Sequence, residues 1–165
     1  MAHFNSEPTI SLLLSTIIVS FVVASSLNVY PLSPDMAILR PMVLMMVLIF
    51  WLLFQPRYVG VFSAFTVGII ADLLMDTRLG QQAFAAVVVA LVLSISRIYI
   101  KPLNIASAWL LATLGLVVFQ LSLWMLQLMT QSIFVAQSSL PLLMSILSWP
   151  LVLLVLRRFI QSHIQ

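Results

Sequence analysis

Long apolar runs alternate with short polar punctuation from one end of the chain to the other, and six runs stand out. The first extends from about Thr9 to Asn28 and stops at Val29-Tyr30-Pro31-Leu32-Ser33-Pro34-Asp35. The second extends from about Arg40 to Phe54, closed by Gln55-Pro56-Arg57-Tyr58, and the third from about Val59 to Met75. Asp76-Thr77-Arg78-Leu79-Gly80-Gln81 precedes a fourth, about Gln82 to Ser96. Arg97-Ile98-Tyr99-Ile100-Lys101-Pro102 then leads to a fifth, about Asn104 to Leu128. The sixth covers about Leu140 to Leu156 and ends on Arg157-Arg158. A bilayer has no water for unpaired backbone groups, so each run is predicted as a helix that pairs them internally. A full span takes about 17–25 residues, and several runs sit near the lower limit.

The residues before the first run contain no Lys or Arg, and the run is long for a signal peptide. It is read as a retained span; cleavage after Val22-Val23-Ala24 is the alternative. With a cytoplasmic N-terminus, Arg57, Arg97, Lys101, Arg157 and Arg158 share the cytoplasmic side and only Arg40 and Arg78 face outward, which satisfies the positive-inside bias. Both termini are then cytoplasmic.

Composition agrees. Of 165 residues, 63% are hydrophobic and 7% charged, with a mean hydropathy of +1.21, whereas soluble domains carry about 25% charged residues. The expectation is one all-α integral membrane domain covering residues 1–165. The cations are dispersed and form no basic arm, which argues against nucleic acid as a ligand. The absence of cysteine excludes disulfides, thiol catalysis and thiolate metal sites.

Asp72, inside Gly68-Ile69-Ile70-Ala71-Asp72-Leu73, is the anomaly in this pattern. An ionisable group at membrane depth costs roughly 2.5–3.5 kcal/mol or more unless it is paired. Gly60, Ala64 and Gly68 precede it at steps of four and share its helix face. Small residues there form a helix-packing face, and Ala86, Ala90 and Ser94 make a matching series in the fourth run. Arg40 and Asp72 are equidistant from Pro56, in the turn between the second and third runs, so a helical hairpin brings them to similar depth. The expectation is an Arg40–Asp72 ion pair, either as a structural staple or as an interface element for a partner helix. Proton conduction lacks a second acid or histidine inside another run.

Catalysis is not expected. An intramembrane aspartyl protease needs carboxylates facing each other across a gap, whereas Asp72 and Asp76 fall on one helix. Too few carboxylates remain to surround Mg²⁺, so no metal or cofactor is expected. Pro150 should kink the sixth helix. Met42, Met45 and Met46 are read as gap fillers. Gln120, Gln127 and Gln131, with Ser122, are read as interhelical hydrogen-bonding groups, with a small outward-facing polar pocket as the alternative.

Taken in order, Leu39-Arg40-Pro41, Gln55-Pro56-Arg57, Gly68-Ile69-Ile70-Ala71-Asp72-Leu73, Leu79-Gly80 and Trp149-Pro150 with Arg157-Arg158 give a chain that resembles the MreD family of rod shape-determining proteins. It departs from the family pattern at Asp76, where a small residue, often Gly, is usual. The resemblance implies a non-enzymatic subunit of the bacterial inner membrane, in the cell-elongation complex that supports peptidoglycan synthesis and rod shape. It implies MreC as the direct partner, through its transmembrane helix, and through MreC the actin-like MreB, RodZ, RodA and the elongation transpeptidase. It also implies a six-helix fold similar to the S components of energy-coupling-factor transporters. On that basis the small-residue faces of spans three and four are expected to dock the MreC helix. The alternative function is a true S component that binds a small vitamin-like solute.

Overall fold

The computed structural model describes residues 8–29, 42–100, 104–130 and 140–164. They form six helices, α1 (Pro8–Val29), α2 (Val43–Phe54), α3 (Val61–Leu74), α4 (Gln81–Tyr99), α5 (Ile105–Thr130) and α6 (Leu140–Ile164), and no strand is present among them. Each corresponds to one apolar run of the sequence. Four contain apolar stretches long enough to cross a membrane: Ser11–Val29, Gln81–Tyr99, Ile105–Met129 and Leu140–Arg158. The other two are short. With 12 and 14 residues, α2 and α3 reach only about 18 and 21 Å at 1.5 Å per residue, below the ~30 Å hydrocarbon thickness.

The short α2 is the centre of the molecule. Every residue from Leu44 to Leu53 is buried, as expected for a helix that is apolar on all sides. It packs against each of the other five helices. Phe50 and Trp51 meet edge to face with centroids 5.4 Å apart, and Met45 and Met46 are buried in the same core. Polar anchors fix its neighbours. The Trp51 indole donates to Ser20 Oγ of α1 at 2.8 Å, and the Met42 amide donates to Ser145 Oγ of α6 at 2.8 Å.

Outside this core the surface is oil. Phe62 is 91% exposed, Leu147 74% and Ile98 70%, an arrangement that requires a lipid solvent. Helix α6 continues through Pro150 without ending, and Trp149 is buried beside it.

The helices alternate in direction, so the ends of the bundle differ chemically. At one end Arg97 donates to the Leu52 carbonyl at 3.4 Å, and the Arg157 guanidinium lies 5.5 Å from the centroid of the Phe54 ring. Both cations complement the carbonyl end of α2. The α3–α4 turn, with Arg78, lies at the opposite end. The Ser33-Pro34-Asp35 turn, Lys101 and Gln131 are outside the described residues.

Candidate functional site: a buried carboxylate joining two helices

Asp72 lies in the last turn of α3 and is completely buried. Its partners are on the loop and helix that follow. Oδ1 accepts from Thr77 Oγ1 at 2.9 Å and from the Gln82 amide at 2.8 Å. Oδ2 accepts from the Gly80 amide at 2.8 Å and the Ala83 amide at 3.3 Å. A helix leaves its first amides without intrahelical acceptors, and an N-cap side chain normally serves them. The N-cap of α4 is Gly80, which has no side chain. Asp72 therefore supplies the cap from the preceding helix, with its charge placed at the positive end of the α4 dipole.

The loop is shaped for this. Gly80 has φ 95° and Asp76 has φ 51°. Both are left-handed conformations, at ease for Gly and tolerated by Asp. Asp76 therefore occupies a position that turns the chain. Asp76→Gly is expected to leave thermal stability unchanged or slightly raised, and Asp76→Val to cost about 1–2 kcal/mol. Thermal unfolding of the purified variants in one detergent checks both values.

Close helix approach complements the hydrogen bonds. A Cβ at Gly68 would overlap Ala83 Cα and lie 2.8 Å from the Ala83 amide nitrogen and 3.0 Å from the Gln82 carbonyl oxygen. Ala64 and Ala71 on α3 and Ala83, Ala86 and Ala90 on α4 are buried as well. Around Gly68 and Ala83 the small-residue faces of these two helices therefore pack on each other, whereas Ser94, the last member of the α4 series, is exposed. Gly60 belongs to a different setting. It is the N-cap of α3, its backbone is held by Ser63 Oγ at 2.8 Å, and nothing lies within 4 Å of an added Cβ.

Arg40, the partner expected for Asp72, is outside the described residues. Thr77, Gly80 and Gln82 were not anticipated as Asp72 ligands. The available signal was a Gly directly before an apolar helical run, eight positions beyond a buried acid.

At the same end of the bundle, Asn28, Thr77, Gln81, Gln82 and Gln127 contribute polar groups to a cavity of about 450 Å³. Gln120 is buried, and among the described residues neither polar atom of its carboxamide has a hydrogen-bond partner. Ser122 donates to the Val118 carbonyl of its own helix at 2.8 Å. The described residues contain no group of three His, Cys, Asp or Glu side chains suited to a metal ion.

An apolar helical body with a carboxylate joining two of its helices defines a multi-pass membrane protein. The model of the rod shape-determining protein MreD family matches residues 9–159, and the chain belongs to that family. It is 26% identical over 144 residues to the rod shape-determining protein MreD of Haemophilus influenzae, a match that covers 87% of this chain and 89% of the relative. No solved structure matches it significantly.

Proposed function

We propose that the chain is a non-enzymatic subunit of the bacterial inner-membrane elongation complex, with both termini in the cytoplasm. In this reading it binds the transmembrane helix of MreC and, through MreC, works with MreB, RodZ, RodA and the elongation transpeptidase in peptidoglycan synthesis. Family membership across nearly the whole chain is the observation that carries the proposal. The engagement of Asp72 with four donors supports a structural use of that acid rather than a catalytic one. The arginines at one end of the bundle support the orientation.

With α3 and α4 packed on each other around Gly68 and Ala83, the helix of MreC is assigned to the groove between α1 and α6. This groove holds about 360 Å³ and is lined by apolar residues, including Val23, Leu27, Val47, Leu151 and Val155. Both walls are lipid-facing, so a bulky residue can fill the groove without disturbing the core. Val23→Trp with Leu151→Trp should reduce MreC recovery roughly tenfold, about 1.4 kcal/mol, while the protein remains monodisperse. Affinity purification from native membranes with mass spectrometry is the test. Undiminished MreC recovery rejects the groove; recovery of a transporter's coupling subunit and ATPases in place of MreC rejects the scaffold reading. The polar cavity favours that S-component alternative as the second reading.

A further inference from the structure

The polar cavity at the arginine-poor end does not stand alone. Val29 of α1 and Leu74 of α3 line it, and the same two residues line a second, lateral groove between α1 and α3. That groove holds about 710 Å³ and is almost entirely apolar, with Ile18, Phe21 and Val22 on one wall and Val67 and Ile70 on the other. A hydrogen-bonding chamber therefore opens at its edge into an apolar trough facing the bilayer. The combined shape is that of an amphiphile.

The chamber also selects a type of headgroup. Its polar lining consists of carboxamides and one hydroxyl, with no charged side chain among the described residues that form it. The chamber borders the N-termini of α2, α4 and α6, and a helix start such as that of α4 would normally attract a phosphate. Here the amides of Gly80, Gln82 and Ala83 are already taken by the Asp72 carboxylate, which adds a negative charge close to the chamber wall. The start of α4 therefore offers an anion no free amide at these three positions. Gln82 is only 7% exposed, and its Nε2 reaches no better acceptors than Met75 Sδ at 3.4 Å and Thr77 Oγ1 at 3.3 Å. Its carboxamide is thus buried, weakly engaged and part of the chamber lining, suited to a ligand that offers hydroxyl or amide groups.

We propose that the α1–α3 groove and the chamber above it form one binding site for a lipid with an uncharged, hydroxyl- or amide-rich headgroup. The headgroup occupies the chamber beside Asn28, Gln82 and Gln127, and one alkyl chain runs down the groove between α1 and α3. The site is separate from the α1–α6 groove assigned to MreC and does not depend on that assignment.

The test uses the full chain in nanodiscs of phosphatidylcholine doped with equal amounts of monoglucosyl diacylglycerol and phosphatidylglycerol. Lipids retained after transfer to detergent are then quantified by native mass spectrometry. The glucosyl lipid should be retained roughly fivefold or more over phosphatidylglycerol, on the scale of one to two hydrogen bonds. Val22→Trp and Ile70→Trp, one on each wall and both exposed, should abolish that preference while leaving the protein folded. Gln82→Leu should reduce it even where Gln127→Leu proves unstable. Equal retention of both lipids would mean ordinary annular lipid and overturn the proposal. So would a preference that survives both tryptophan variants, or one that soluble methyl glucoside removes as readily as the lipid, which would indicate a free solute.

Discussion

Gly68→Ala should lower the stability of the purified protein by about 3 kcal/mol, and Gly68→Leu should yield no folded protein. The added Cβ meets backbone, Ala83 Cα and its amide nitrogen, rather than a side chain that could rotate away. Relief therefore requires α3 to move off α4, and that motion also lengthens the Asp72 bonds to the Gln82 and Ala83 amides. Gly60→Ala is the matched control. Its backbone is extended, with φ −127°, and the new methyl group meets nothing, so it should unfold within about 0.5 kcal/mol of the parent. Thermal unfolding and size-exclusion profiles in detergent report both. Similar losses at the two glycines would mean that the α3–α4 contact does not set the stability. On the proposed reading, MreC recovery should fall with Gly68→Ala only as far as folded protein is lost, because this contact lies inside the chain.

Helix positions were legible because apolar runs in this chain are interrupted by Pro, Arg and polar clusters at nearly every turn. The third run, expected from about Val59 to Met75, forms Val61–Leu74, and the fourth, expected from about Gln82, starts at Gln81. The second run gave its length less faithfully. Its helix begins at Val43 rather than near Arg40, and its burial on every side, which its all-apolar sequence permits, emerged only with the fold. The stripe of Ala64 and Gly68 was readable as a contact face but not as to its partner. Lipid chains are as apolar as another helix, so within a membrane the pattern of small residues marks close approach without saying to what.

The surroundings of Asp72 were the least legible part of the chain. A reading of side chains looks for an oppositely charged letter, and Arg40 was the one at matching depth. Three of the four donors that meet the carboxylate are backbone amides, which every residue but proline has and no residue name reveals. Only Gly80 hinted at them. A helix that starts on a glycine has no capping side chain of its own, so its amides must be served from elsewhere, and a buried acid just upstream is available.

Asp72→Ala should therefore be among the most damaging single substitutions in the chain, at about 3–5 kcal/mol. It removes the buried carboxylate, leaving three amides without their acceptor and the Thr77 hydroxyl with only the weaker bond to the residue-72 carbonyl, 3.4 Å in the parent. Asp72→Asn should fall between alanine and the parent, since its single oxygen can still accept while its amide nitrogen opposes a donor. The charge-swapped pair Arg40→Asp with Asp72→Arg separates the carboxylate's two possible uses. A guanidinium has donors only, so it cannot serve the amides at the start of α4, whatever residue 40 becomes. The swap should unfold as readily as Asp72→Ala, and Arg40→Ala alone should retain most of the parent stability. Both are measured by thermal unfolding in the same detergent. If the swap restored stability, an ion pair between these positions would outweigh the helix cap, and the role of Gly80 as a site served by a neighbouring helix would have to be abandoned.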